Sequence, residues 1–298
     1  MRASCRKKRK WSTNRVVKSA AIISKPGKPE LTSTVTEVLR WLEARGYRVY
    51  IDEETAVYGG DGQTVPRGAI AQYHPDFVLV LGGDGTLLSA ARAVGESEIP
   101  LLAVNLGSLG FLTEVRLDEL YATLNEAVEG RCPIEVRAML ECRLLRNGAQ
   151  VAHYLALNDV VVKSTVARLI GYELCLNGER VVEYQADGVI VATPTGSTAY
   201  SLAAGGPVLM PAVEAILITP ICPHSLTHRP LVVGDQAVIA VRLNRGADGM
   251  LSVDGQVGMP VMQGDQIVCR KAAARVRLLR MQRPFFDVLR NKLWWGQR

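Results

Sequence analysis

Gly82-Gly83-Asp84-Gly85-Thr86 combines a carboxylate with three glycines in five positions. Glycines let phosphate oxygens come close to the backbone. A helix starting at Thr86 would turn free N–H groups and a positive dipole end toward an anion. A carboxylate repels phosphate, so Asp84 fits such a loop as the proton acceptor for an attacking hydroxyl, or as a holder of Mg²⁺. The plainer reading is a tight turn with an Asp cap. A second segment runs from Asp187 to Ser201. Its apolar half, Gly188 to Ala192, reads as a strand that delivers the chain into Thr193-Pro194-Thr195-Gly196-Ser197-Thr198. Small hydroxyls around one glycine can present donors to a polar ligand. Tyr200 would stack on a base or pack, and ordinary capping is the plainer reading.

Asn158-Asp159 follows a β-rich run, Val151 to Leu157, that reads as a strand. Asn can pair with an adenine edge, and an acid can accept from ribose hydroxyls, although Asn-Asp alone is more often a turn. Ser252-Val253-Asp254-Gly255-Gln256 reads as a hairpin turn, or as a device that sets Gln256 near a ligand. The proline-rich stretch from Thr219 to Pro230 holds Ser225 between His224 and His228, but sequence neighbours rarely face one another, so it reads as architecture. His74, His153, His224, His228 and the cysteines show no metal-ligand spacing. No GxxxxGK[ST] occurs and no GxGxxG opens the chain, which argues against a Walker-type NTPase and an ordinary Rossmann dehydrogenase.

The elements that must position these groups are legible from periodicity. Ser19 to Ser24, Tyr47 to Ile51, Phe77 to Leu81 and Leu101 to Val104 read as strands. Pro29 to Arg45 and Thr86 to Val94 read as helices, the first with Leu31, Val35, Val38, Leu39 and Leu42 on one stripe and Gly46 at its end. Alternation of strand and helix predicts an α/β N-terminal domain with an open, mostly parallel sheet, whose ligands sit at the carboxyl ends of the strands. After Pro133 short β-rich runs separated by Asn177-Gly178 and Asp254-Gly255 predict a mostly β C-terminal domain. The expected division is a basic extension over 1–17, the α/β domain over 18–132, the β-rich domain over 133–275, and a tail over 276–298. Trp294-Trp295 in that tail would pack on the first domain or on a partner subunit.

Hydrophobic residues make up 48% and charged residues 21%, so a full core in a soluble protein is expected. The net charge of +6 comes largely from Arg2, Arg6, Lys7, Lys8, Arg9 and Lys10, with nothing like a nucleic-acid module nearby. The six cysteines fit reduced thiols in a cytoplasmic protein. No apolar run reaches the roughly 20 residues of a membrane span, and Trp11-Ser12-Thr13-Asn14 takes the place of a signal's apolar stretch.

Taken together, these segments resemble the NAD kinase family in its bacterial form, from about Lys18 to Lys292. The resemblance also rests on Asn105-Leu106-Gly107-Ser108-Leu109-Gly110-Phe111-Leu112, on Pro223-His224-Ser225-Leu226 and on Arg229-Pro230-Leu231-Val232. The pentapeptide alone is shared with diacylglycerol-type lipid kinases and phosphofructokinases. The Thr-Pro-Thr-Gly-Ser-Thr-Ala-Tyr segment and the order of the motifs are far more specific. The resemblance implies phosphoryl transfer from ATP, with Mg²⁺, to the 2′-hydroxyl of the adenosine ribose of NAD. Asp84 would accept the proton, and Asp84 and Gly85 would contact the NAD. Asn158 and Asp159 would hold the adenosine end, and Asp187 would face the nicotinamide side. Thr198, Ala199, Tyr200, Ser201, Leu202 and Ala203 would wrap the nucleotide, with Phe111 flanking the pocket and Arg168 and Gln256 at further contacts. Gln185 stands where enterobacterial members carry arginine, and Ser89 where the family often has a basic residue. A homo-oligomer, dimer or tetramer, is implied as well. A lipid kinase on the same pentapeptide would need an apolar acceptor pocket, which the hydroxyl-rich segment argues against. A non-catalytic dinucleotide sensor would gain nothing from Asp84 beside phosphates.

Overall fold

The computed structural model of the chain describes residues 17–107, 110–166, 169–225, 227–245, 249–280 and 283–293. The basic run ahead of residue 17, Ser108-Leu109, Arg168, Leu226 and Trp294-Trp295 lie outside the described residues.

Parallel strands need crossover connections, and the first part of the chain supplies them. β1 (Lys18–Ser24), α1 (Leu31–Glu43) and β2 (Tyr47–Asp52) are followed by a single turn, α2 (Glu53–Ala56), and by β3 (Gln63–Val65). Then come β4 (Phe77–Leu81), α3 (Asp84–Val94), β5 (Leu101–Asn105), β6 (Val115–Arg116) and α4 (Leu120–Val128). The strands pair in parallel in the order β6-β5-β4-β1-β2-β3. β4 and β5 are buried along their whole length, which is why they read as unbroken apolar runs. The expected stripe on α1 is buried at all five positions.

The chain then changes character. β7 (Ile134–Arg146), β8 (Ala149–Ala156), β9 (Asp159–Ser164), β10 (Ile170–Leu176), β11 (Glu179–Ala186) and β12 (Gly188–Ala192) precede a single helical turn, α5 (Tyr200–Ala203). β13 (Ala215–Ile221), β14 (Leu231–Gly234), β15 (Ile239–Arg245), β16 (Gly249–Val253), β17 (Val257–Val261) and β18 (Gln266–Leu279) follow, and α6 (Phe285–Leu293) ends the described chain. One antiparallel sheet runs β14-β13-β12-β9-β16-β17. Strands β11-β10-β15-β18 pair antiparallel with one another, and β7 pairs with β8. Tyr172 and Leu174 of β10, Val189 and Val191 of β12 and Leu251 and Val253 of β16 share one core. The fold is thus the α/β domain with a parallel sheet, plus the mostly antiparallel β domain, that the pattern predicted.

Internal contacts gather the chain into two compact units. The first holds the described residues through Thr86, then Pro100–Glu135, and those from Leu279 on. The second holds Leu87–Ile99 and Val136–Leu278. The first unit contains a buried charge. Arg280 is only 8% exposed and forms an ion pair with Glu114, itself 2% exposed; its Nε also lies 3.1 Å from a Glu135 carboxylate oxygen. Burial pushes the Arg280 guanidinium down to about 10, and the negative charge of Asp84 opposes that shift. Removing one member of a buried pair strands the other. Arg280→Met is expected to cost about 3–5 kcal/mol in urea unfolding, and Arg280→Met combined with Glu114→Leu to recover most of that loss. A single variant as stable as the parent would refute the pairing.

Candidate active site

The first cluster forms around Asp84. Helix α3 starts at Asp84, two residues ahead of the expected Thr86, because the carboxylate is a first-turn group, favourable at a positive dipole end. The side chain reaches across to the segment after β5. Its Oδ1 accepts from the backbone N–H of Leu112 (3.1 Å) and of Thr113 (3.0 Å) and from the Thr113 hydroxyl (2.9 Å). Its Oδ2 accepts from the Phe111 N–H at 2.9 Å. Gly110 has no side chain for a steric reason: a Cβ there would fall on Asp84 Oδ1 and on the Thr113 hydroxyl. Asn105 supports the same segment, its amide donating to Thr113 Oγ1 at 2.8 Å and its oxygen accepting from the Gly107 N–H at 2.8 Å. Among the described residues four donors thus meet one carboxylate, and Oδ2, which takes one of them, keeps accepting capacity.

The second cluster forms around Asp254, a residue expected from the sequence only in a turn. Asp254 and Gly255 do make that turn between β16 and β17, with φ of 49° and 64°. The Asp254 side chain, however, is wholly buried. It accepts from the backbone N–H of Leu157 (3.1 Å), Asn158 (2.8 Å) and Asp159 (3.2 Å). Arg92 of α3 adds a guanidinium at 3.4 Å from Asp254 Oδ2 and donates also to Gln256 Oε1. Asn158, Asp159, Ala199 and Tyr200, all expected site residues, line one cavity of about 350 Å³ together with Asp254 and Lys163. Gly196 makes this packing possible, since a Cβ there would run into the Asn158 carbonyl.

The hydroxyl-rich segment behaves differently from its expected role as a donor surface. Thr193 donates to the Leu157 carbonyl at 2.6 Å and accepts from the Gly196 N–H at 3.1 Å. Ser197 donates to the Pro194 carbonyl and accepts from the Leu209 N–H. The Thr198 hydroxyl bonds the Thr195 carbonyl at 3.2 Å. The Ser201 hydroxyl is fully buried and shares a bond of 2.8 Å with Thr219. These hydroxyls build the loop that carries Ala199 and Tyr200. Of the remaining expected residues, Phe111 is half-buried beside Asp84, while Gly85, Ala203 and Gln256 are exposed and Leu202 is half-buried. Gln185 and Asp187 are exposed and line neither this cavity nor the one beside Asp84. Ser225 bonds Thr227, and His228 packs on the Tyr184 ring at 4.5 Å, in keeping with an architectural role. Among the described residues, no group of three or more His, Cys, Asp and Glu gathers as metal ligands.

Two models of one family match the chain: the ATP-NAD kinase N-terminal domain over residues 20–132 and the ATP-NAD kinase C-terminal domain over residues 157–281. The chain belongs to the NAD kinase family. A curated NAD kinase of Koribacter versatilis is 56% identical over 284 residues, covering 95% of this chain and all of that protein. An NAD kinase of Geobacter sulfurreducens is 45% identical over 288 residues, again covering 95% of this chain and all of the relative. Among solved structures, yeast NADH kinase complexed with NADH superimposes with a TM-score of 0.85 at 29% identity, covering 96% of this chain and 90% of that one. An Archaeoglobus fulgidus NAD kinase in complex with ATP gives a TM-score of 0.74 at 26% identity, covering 92% and 98%. The family pattern on this chain therefore coincides with two carboxylates that each organise a backbone segment, Asp84 and Asp254.

The second cluster has a pH signature. Burial, and then the charge of Asp254, push Asp159 up to about 7, against a hydrogen bond from the Tyr200 N–H. Burial also raises Asp254, but three backbone N–H groups and Arg92 favour its charged form. A carboxyl raised in the fold binds its proton more tightly than in the unfolded chain. Its stabilising contribution is complete at low pH and is lost as pH rises through about 7. Wild type is expected to lose up to about 4 kcal/mol of unfolding free energy through this group between roughly pH 4 and 8. Asp159→Asn is expected to flatten that component in urea titrations. An unchanged pH slope in the variant would contradict the assignment.

Proposed function

We infer that this chain transfers the γ-phosphoryl group of ATP to the 2′-hydroxyl of the adenosine ribose of NAD, yielding NADP and ADP. It is an NAD kinase. The observation that carries the mechanism is the Asp84 carboxylate, fixed by Phe111, Leu112 and Thr113 yet with accepting capacity left on Oδ2. A ribose hydroxyl is a poor nucleophile at neutral pH. As its oxygen bonds the γ-phosphorus, its proton passes to Asp84 Oδ2. The bond from the γ-phosphorus to the bridging oxygen breaks, and ADP leaves with the electron pair. A positioned base contributes roughly 10²–10⁴-fold to such a step. The N-terminal end of α3 favours the negative charge carried by the phosphoryl group.

Asn158 and Asp159 hold the adenosine end in this reading, Tyr200 covers the base, and Gln256 contacts the ligand next to Arg92. The divalent cation enters as the counter-ion of ATP, as the magnesium–nucleotide substrate, where it offsets phosphate charge. A homo-oligomer and a cytoplasmic location belong to the same proposal. Among the described residues no helix is long and apolar enough to cross a membrane. A lipid kinase is not favoured, since relatives at 56% and 45% identity are named NAD kinases.

Asp84→Asn removes the base and turns an N–H donor toward one of the four donors the carboxylate satisfies. NADP formation from NAD and ATP with Mg²⁺ is expected to fall roughly 10²–10⁴-fold. NAD binding by calorimetry should persist within a few-fold, as the adenosine contacts are made elsewhere. Turnover close to that of the wild type would remove Asp84 from the role of base.

A further inference from the structure

The proposed reaction gathers the charge of the nucleotide phosphates beside Asp84. Besides the magnesium of the nucleotide, side-chain cations near Asp84 would offset this charge. In the first unit a cavity of about 320 Å³ has Gly83 and Asp84 in its wall, and the same wall carries Lys25, Lys28 and Lys292. The lysines arrive from two elements: Lys25 and Lys28 from the turn after β1, and Lys292 from α6. Among the described residues no carboxylate pairs with Lys25 or Lys292. Lys28 has Glu30 at 3.4 Å in an exposed pair, which is worth little.

The β1 turn is built rather than loose. The Tyr58 side chain, 5% exposed, donates its hydroxyl hydrogen to the Lys25 carbonyl at 2.6 Å and accepts from the Lys28 N–H at 2.9 Å. One tyrosine thereby closes the turn between the two lysines. The Lys25 N–H in turn donates to the carbonyl of Leu81, the residue directly ahead of Gly82, at 2.8 Å. The lysine turn and the glycine loop are therefore joined by backbone, and the Cα positions of the two lysines are set relative to the glycine loop.

We propose that Lys25, Lys28 and Lys292 form the cradle that binds the triphosphate of the ATP donor, with Tyr58 as the positioning residue of its β1 turn. The proposal rests on the kinase reading above. Lysine suits such a cradle because a compact point charge on a flexible stem binds phosphate oxygens without demanding one geometry. Because part of the cradle is exposed, its attraction is screened by salt.

The test combines steady-state kinetics with binding of inorganic tripolyphosphate, a donor-like anion without a nucleoside, followed by calorimetry. Lys25→Gln, Lys28→Gln and Lys292→Gln are each expected to raise KM for ATP about tenfold, the loss of one charge-assisted contact, with KM for NAD within about twofold. Tripolyphosphate affinity should fall in parallel. The salt dependence of kcat/KM for ATP should flatten in Lys25→Gln, because fewer charges remain to be screened. Lys25→Arg should retain most of the ATP affinity, which separates charge from folding. Tyr58→Phe, which changes no charge, should raise KM for ATP about threefold or more by freeing the turn. Unchanged ATP KM and tripolyphosphate affinity in the lysine variants would overturn the cradle. Wild-type behaviour of Tyr58→Phe would overturn its positioning role. If wild type formed no NADP at all, the kinase reading would fall, while the tripolyphosphate comparison would still decide the cradle.

Discussion

A carboxylate that accepts from three consecutive backbone N–H groups and a hydroxyl is the interaction on which the order of the first cluster depends. Asp84 lies at the start of α3, and Phe111, Leu112 and Thr113 lie beyond β5. The two motifs are far apart in sequence but form one object. Gly110 is part of it, because any side chain there would occupy the space of the carboxylate. Buried backbone donors left unpaired cost about 1–3 kcal/mol each, so the loop and the aspartate specify each other. This network holds the carboxylate in one place, which is the condition the proposed role as base requires. Arg280, buried with Glu114, adds a positive charge whose field reaches Asp84, so that the carboxylate sits among amides and a cation rather than alone.

The second unit repeats the device with other residues. Asp254 gathers the N–H groups of Leu157, Asn158 and Asp159, and so determines where Asn158 and Asp159 point. Two carboxylates in one buried place do not both ionise readily. Burial raises both; the backbone donors and Arg92 oppose the shift at Asp254, and Asp159 is pushed up to about 7. The charge of Asp254 acts on Asp159, the Tyr200 N–H opposes the shift, and Lys163 lines the same cavity. A buried carboxyl poised near neutrality in the wall of a cavity responds to the hydrogen bonds offered to it there.

Periodicity made the framework readable. The buried runs Phe77–Leu81 and Leu101–Asn105 and the stripe on α1 needed no tertiary information, since a central parallel strand is apolar on both faces and an amphipathic helix repeats every three to four residues. The motifs located Asp84, Asn158, Asp159 and Tyr200 because unusual residue types cluster there. Arg92 and Arg280 were not legible in the same way. Each is a single basic residue in an unremarkable context, and its significance comes from a partner well over a hundred residues away or from burial that only the fold imposes. Tyr58 was hidden for a related reason, because its hydroxyl serves backbone groups of another element.

The hydroxyl-rich segment carries the most distinctive string in the chain, yet its threonines and serines bond the loop itself. Thr193 locks Leu157, Ser197 locks Leu209, and Ser201 locks Thr219. Gly196 lies against the Asn158 carbonyl, so the same string fixes the neighbour that faces the cavity. A short loop without repeating structure must satisfy its own polar groups if it is to hold one shape. Small hydroxyls do this at minimal volume, which leaves Ala199 and Tyr200 as the parts turned to the cavity. The residue types that look like ligand donors in the sequence are therefore the means by which the backbone and one aromatic ring are presented. Specific sequence in such a loop reflects the demands of a precise shape.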